Sequence, residues 1–364
     1  MSSQRALGVQ WRTDELINVY LNYIMELSAI SAPGTAPSKR AFHSCSVLEG
    51  SFYIFGGITE DKTVLSDMYR YDVSSNSWSA IESRTPRSSQ STPLVSSVFP
   101  KGRLCTAPSV SHHTATVIRD RFILIIGGWN GRKRYADVFC FDTVEQFWRH
   151  IPESGDVPVG LSSHTATLVS SKDILIIGRE GGVHIQRRFA GAFYLNFETG
   201  KYTEAPYHAS SRSGHTSNLI PIRASKENHL FVFGGRKSGG YELIGSWHKT
   251  EQTESSFSKQ RLADILKKST ICEEPSGRQH AKAVELDDKH LFIFGGETWS
   301  GVRENVTNDA FILESDRMRW YKLPPGRNVP KLVGHSMVGT ADKIFVFGGG
   351  VGNKYCDTLW EVKI

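Results

Sequence analysis

Six times along the chain a run of four apolar residues ends in a glycine pair or its remnant. The copies are FYIFGG (residues 52–57), ILIIGG (123–128), ILIIGR (174–179), LFVFGG (230–235), LFIFGG (291–296) and IFVFGG (344–349). A short apolar run closed by a turn signal reads as a strand buried on both faces. Gly-Gly lets the backbone take positive φ where that strand must end sharply. The cleanest copy spans residues 121–150 and continues through a polar turn, an alternating run (138–142) and the aromatic pair Phe147-Trp148. It reads as strand, turn, strand, turn, strand.

Upstream of each apolar run a histidine sits among small or hydroxyl residues: His43, His113, His164, His215, His280 and His335. Each repeat therefore gains a further, inner strand. Downstream, two bulky side chains stand seven residues apart in four repeats: Tyr71 and Trp78, Phe141 and Trp148, Leu195 and Tyr202, Leu313 and Trp320. Repeats four and six lack this spacing. Four strands per unit, a period of roughly 50 residues and Gly-Gly after the second strand resemble the kelch repeat. The resemblance implies an all-β chain, a six-bladed kelch β-propeller built as one domain over residues 1–364. Its repeats are expected near 40–84, 109–152, 160–206, 211–250, 277–324 and 332–364.

The sixth repeat stops at residues 359–364, after its third strand, which would leave an open edge. Trp11 precedes the first repeat and matches the outer-strand tryptophans Trp78, Trp148 and Trp320. Residues 7–13 are thus expected to complete the last blade, within an N-terminal segment 1–35 that also holds a helix or loop. The alternative places Trp11 with a helix over 15–25. Two insertions interrupt the pattern. Residues 84–111 are rich in Ser, Pro and Thr and read as a long loop. Residues 250–274 contain SFSKQRLADILKKST, with Leu262, Ile265 and Leu266 on one helical face, a short amphipathic helix packed on the flank or offered to a partner.

Composition adds limits. Hydrophobic content of 39% and charged content of 22% are those of a globular protein, and a net charge of +6 comes from interspersed acids and bases, so neither nucleic acid nor membrane is expected as a partner. Five scattered cysteines without a CxxC pair suggest no zinc or redox motif and fit a reducing compartment. The N-terminal sequence lacks the apolar core of a signal peptide. The expected location is the cytoplasm, with cilium, cytoskeleton and nucleus left open.

Six equivalent histidines invite a metal reading, but metal ligands converge on one point whereas repeated residues form a ring. A structural role between blades is expected, with no metal and no cofactor. Repeat three departs from its consensus: Gly178-Arg179 replaces Gly-Gly and EGGVHIQRR follows. Arg179, Glu180, His184, Gln186, Arg187 and Arg188, with Arg212, are the candidate partner-binding residues. A buried Arg179–Glu180 pair and a solvated 187–188 loop are the structural alternatives. No nucleophile elbow, HExxH or phosphate loop is present, so no catalytic residue is named and the chain is expected not to be an enzyme.

The motifs AFHSC (41–45), GLSSHT (160–165), GREGGVHIQRR (178–188), SRSGH (211–215) and FGGET (294–298) resemble the kelch domain-containing protein nine family. That resemblance implies a stand-alone propeller without ubiquitin-ligase adaptor modules, and an association with an A-type cyclin. The expected function is a non-enzymatic protein-protein interaction scaffold, or a subunit of a ciliary or cytoskeletal assembly. The alternative is a substrate receptor of a cullin-type ubiquitin ligase that reads a peptide end through Arg187, Arg188 and Arg212. A third class, a small-molecule enzyme like the sugar epimerase propellers, would need acid and base groups gathered in the channel.

Overall fold

The computed structural model describes residues 25–84, 98–100, 102–178, 189–207, 209–210, 212–222, 227–235, 240–248, 257–299, 302–340 and 342–364. Each apolar run forms the second strand of an antiparallel sheet, as its burial on both faces requires. The first sheet runs Ser44–Leu48, Ser51–Phe55, Met68–Asp72 and Ser77–Ile81. The second runs Thr114–Ile118, Phe122–Trp129, Arg134–Asp142, Phe147–Ile151 and Arg103–Cys105; the third runs Thr165–Leu168, Asp173–Gly178, Phe189–Asn196, Lys201–Glu204 and Ser154–Gly155. Three strands make the fourth among the described residues: Thr216–Pro221, Glu227–Phe233 and Tyr241–His248. The fifth is Lys282–Glu285, His290–Phe294, Ala310–Glu314, Arg319–Leu323 and Thr270–Cys272. The sixth is Ser336–Thr340, Lys343–Phe347, Leu359–Lys363 and Glu26–Ala29.

The seven-residue spacing has a direct cause. Tyr71 pairs with Trp78, Phe141 with Trp148, Leu195 with Tyr202 and Leu313 with Trp320, each facing its partner across one hairpin. Four turn residues separate the strands, and the last of them takes positive φ at Asn76, Gln146, Gly200 and Met318. Asp72 and Asp142 brace their turns by accepting two backbone N–H groups each. The large ring then packs on the preceding sheet. Trp148 meets Phe55 of the first sheet at 4.7 Å, Trp320 meets Phe233 of the fourth at 5.3 Å, and Trp78 meets Phe347 of the sixth at 5.6 Å. The core accordingly lies between sheets, as six apolar clusters that each join two neighbours.

Three expectations need correction. The strand that pairs with Leu359–Lys363 is Glu26–Ala29, with Glu26 opposite Lys363 and Ala29 opposite Trp360. It is not 7–13, which with Trp11 and most of the alternative helix lies outside the described residues. Met25 is buried and hydrogen-bonds Pro324 and Gly326, so the end of that alternative helix is extended chain. Insertion 84–111 is partly structure: Val98 and Phe99 are buried, and Arg103–Cys105 adds an outer strand against Phe147–Ile151. Residues 85–97 lie outside the description.

The helix expected in the other insertion is α1, Lys259–Lys268. Ser258 caps it, its hydroxyl accepting the Arg261 N–H. Leu262 and Ile265 are buried with Phe257, Met25 and Val362, so α1 packs on the flank where the fifth and sixth sheets meet. Among the described residues no helix is long and apolar enough to cross a membrane.

Candidate functional site

The register of the first strands defines equivalent positions. Ser44, Thr114, Thr165, Thr216, Lys282 and Ser336 each pair with the last apolar residue before the glycines. Two residues earlier stand Phe42, His112, Ser163, Gly214, His280 and Gly334, all with positive φ, glycine or not. These six are bonded in series. Phe42 N–H donates to Gly334, His112 to Phe42, Ser163 to His112, Gly214 to Ser163 and His280 to Gly214, at 2.5–2.9 Å. Five bonds thus string six sheets together; the ring of Phe42 stacks on His112 at 4.0 Å, and His280 meets both edge-on at 5.0 and 5.9 Å.

A second set of bonds explains the glycine pairs. Gly57 donates to Val110 of the next sheet, Gly128 to Leu161, Gly235 to Arg278, Gly296 to Leu332 and Gly349 to Arg40. A Cβ on Gly57 or Gly349 would lie within 2.9 Å of the backbone or the histidine Cβ behind it, so a side chain is excluded there. The bond from Gly349 to Arg40 joins the sixth sheet to the first.

Histidines form the third link, and four of them reach a hydroxyl of the preceding sheet. His43 Nε2 meets Ser336 at 2.8 Å, His113 meets Ser44 at 2.9 Å, His164 meets Thr114 at 3.2 Å and His215 meets Thr165 at 2.9 Å. These four imidazoles thus meet side-chain hydroxyls of the neighbouring sheet. Burial holds the imidazoles of His113, His164, His215 and His335 down at about 3 and His112 at about 4, and keeps His43 and His280 well below the ordinary range. His280 was expected at the same position and is not there. It stands one residue earlier, at the positive-φ position of Phe42 and His112, and Ala281 occupies the histidine position of the fifth sheet. The legible signal was an arginine three residues ahead: Arg40 before His43, Arg212 before His215, Arg278 before Ala281.

Those arginines are internal. Arg40 donates to the Gly56 carbonyl and to Asp67, and Arg212 donates to the carbonyls of Gly234 and Gly240 and to Glu242. Arg212 is 3% exposed, so its guanidinium ties its own sheet together and is not presented to a partner. Arg179, Glu180, His184, Gln186, Arg187 and Arg188 lie outside the described residues, in the connection between Asp173–Gly178 and Phe189–Asn196.

Beside these residues is a cavity of about 300 Å³, lined by the first strands. Its most distinctive member, Lys282, went unnoticed in the sequence although it replaces the hydroxyl that every other repeat carries. Elsewhere Asp137, His150 and Glu153 form one partly exposed group with metal-ligand spacing, in which His150 Nε2 is 3.4 Å from each carboxylate.

Second strands end at the end of the sheets that carries Phe42, His112, Ser163, Gly214, His280 and Gly334, because first and second strands are antiparallel, and the connections to the third strands begin there. Two of them touch: Lys62 Nζ donates to Asn353, and the Tyr355 N–H donates to Glu60. In the fifth sheet the connection is itself a hairpin, Glu297–Trp299 with Glu304–Val306. It leaves Trp299 65% and Val302 87% exposed, and Val351 of the neighbouring sheet is 49% exposed.

A family model described as the KLHDC2/KLHL20/DRC7 Kelch-repeats domain matches residues 25–235 and 224–364. The chain belongs to the kelch-repeat family. Kelch repeats are a protein-interaction type of domain. The kelch chain is 32% identical to mouse Kelch domain-containing protein 9 and 30% identical to the human protein, covering 85% of this chain and 87% of each relative. It is also 30% identical to the dynein alpha chain of the Chlamydomonas reinhardtii flagellar outer arm, over 92% of this chain and 7% of that one.

Proposed function

We propose that the six sheets are the blades of one closed propeller, a single domain, and that this kelch protein is a non-catalytic interaction module. Its binding face is the end that carries Phe42, His112 and His280 and the connections between second and third strands. Closure is supported by hydrogen bonds at all six junctions, including three between the sixth sheet and the first. Such bonds make a stiff frame, and stiffness keeps the loop geometry from being lost to ordering entropy on binding.

One observation carries the choice of face: Trp299, Val302 and Val351 are exposed on adjacent sheets at that end, with Lys62 and Lys354 beside them. Exposed tryptophan within a polar rim is the residue type that dominates binding energy at protein interfaces. Arg187 and Arg188 belong in sequence to the corresponding connection of the third sheet and lie outside the described residues. Within this reading a cytoskeletal assembly is the setting we favour, on the likeness to the dynein chain. The ligase-receptor reading is weaker because Arg212, one of its three basic residues, is committed inside the protein.

Affinity capture of tagged full chain, with mass spectrometry, tests the proposal. Trp299→Ser with Val302→Ser is expected to cost a stoichiometric protein partner about 2–4 kcal/mol, thirtyfold or more in recovery at limiting concentration, with an unchanged melting temperature. Equal recovery by the variant rules out this face. Cullin adaptors among the stoichiometric partners would favour the receptor reading instead.

A further inference from the structure

The linking rule between sheets is broken at the fifth sheet, and of the groups this leaves unpaired Thr216 lines the cavity beside Lys282. In four sheets a histidine bonds the hydroxyl of the sheet before it. In the fifth sheet Ala281 stands where the histidine would be, so Thr216 of the fourth sheet has no donor. Lys282 stands where the hydroxyl would be, so His335 of the sixth sheet has no acceptor. Thr216 Oγ1 and both ring nitrogens of His335 are buried and without a hydrogen-bond partner among the described residues. Unsatisfied buried polar groups cost about 1–3 kcal/mol each, so a protein keeps them where a further partner uses them.

Lys282 lines the cavity together with Thr216, Ser44 and Ser336. Burial pulls its ammonium below the ordinary lysine range, and the one group that acts in the opposite sense is the Cys45 thiol, itself pushed up by burial. Among the described residues no carboxylate lines the cavity. The other ionisable groups around the cavity, His43, His112, His113, His164, His215 and His280, are held neutral. The wall therefore offers one cation and several hydroxyl donors, and no negative charge. An enclosed ammonium without a counter-charge is costly, and an anion that enters supplies the missing charge and the missing hydrogen bonds together.

We propose that the axial cavity binds a small oxyanion, of the phosphate or carboxylate class, with the Lys282 ammonium as its counter-charge and the Thr216 hydroxyl as a donor. A free small molecule fits better than a protein segment. The rings of Phe42, His112 and His280 pack together at the loop end, and about 300 Å³ suits a compact ligand. This site is separate from the exposed loop face, and its test reads a different residue.

The experiment is calorimetric titration of the full chain with inorganic phosphate and, in parallel, with succinate, both at ionic strength matched with chloride. Wild type is expected to bind at least one of them saturably. Lys282→Ser, which restores the residue type of the other five repeats, is expected to weaken binding by about 10–100-fold and to melt no lower than wild type without ligand. Thr216→Val is expected to weaken it less, by about 3–10-fold. Should the serine variant fail to fold, Lys282→Met makes the same comparison with the volume kept. The proposal is overturned if neither anion binds wild type saturably, or if the lysine variant that folds binds as tightly as wild type.

Discussion

Acidification is expected to unfold this protein well before ordinary carboxylate chemistry would. In the unfolded chain an imidazole takes up its proton near pH 6.5, but in the fold His112, His113, His164, His215 and His335 do so at only about 3 to 4. Their folded pKa values are depressed, so between those limits the unfolded state binds more protons. The stability they allow is present above about pH 6.5 and is lost as the pH falls. Each contributes up to about 1.4 kcal/mol per pH unit but about 1 kcal/mol over the first unit below pH 6.5, where the unfolded imidazole is only partly protonated, so five together are worth on the order of 5 kcal/mol there. Total stability of a domain is about 5–15 kcal/mol, so a cooperative melt near neutrality is expected to collapse at about pH 5.5. Thermal melts across this range check it. Replacing His113 by Gln is expected to flatten the slope by close to one proton while lowering the melt at neutral pH, because the Ser44 link weakens. A melting temperature that stays level down to about pH 5 would show that the imidazoles are not held neutral.

A chain that starts at residue 31 is expected to lose most of its stability. It lacks Glu26–Ala29, and with it every backbone bond to Leu359–Lys363, and it lacks Met25, which is 1% exposed beneath Phe257 and Ile265. Loss of a buried methionine side chain alone costs about 2–5 kcal/mol, and an unpaired strand edge adds an aggregation route. Loss of cooperative unfolding, or insolubility, is the expected result in a denaturant titration. An unchanged midpoint would mean that the last sheet holds without its outer strand.

Which features were legible follows from how each is encoded. Second strands and their glycines were visible because burial on both faces and a Cβ-free turn leave a contiguous mark, as at residues 123–128. The pairing of Phe141 with Trp148 was visible because a four-residue turn fixes the spacing. The strand Glu26–Ala29 was not, since ELSA has no alternation and its partner is more than 300 residues away. Matching histidine to histidine placed His280 one position off; backbone φ and the arginine ahead of it set the true register. Lys282 was missed for a related reason. A lysine in a short polar run looks solvated until its strand is known to line the cavity. Arg212 looked like a surface site for the same cause, since only the fold shows it bonded to Gly234 and Glu242.

The central claim is that six sheets are joined around one axis into a rigid frame for a binding face, and amide hydrogen exchange tests it most directly. The N–H groups of Phe42, His112, Ser163, Gly214 and His280 lie outside regular strands, at positions where exchange is normally fast. If the ring is closed they should exchange only on global unfolding, as slowly as the buried second-strand amides of Ile125 and Ile293. Exchange of these five at rates typical of surface loops, while the strands stay protected, would contradict the account.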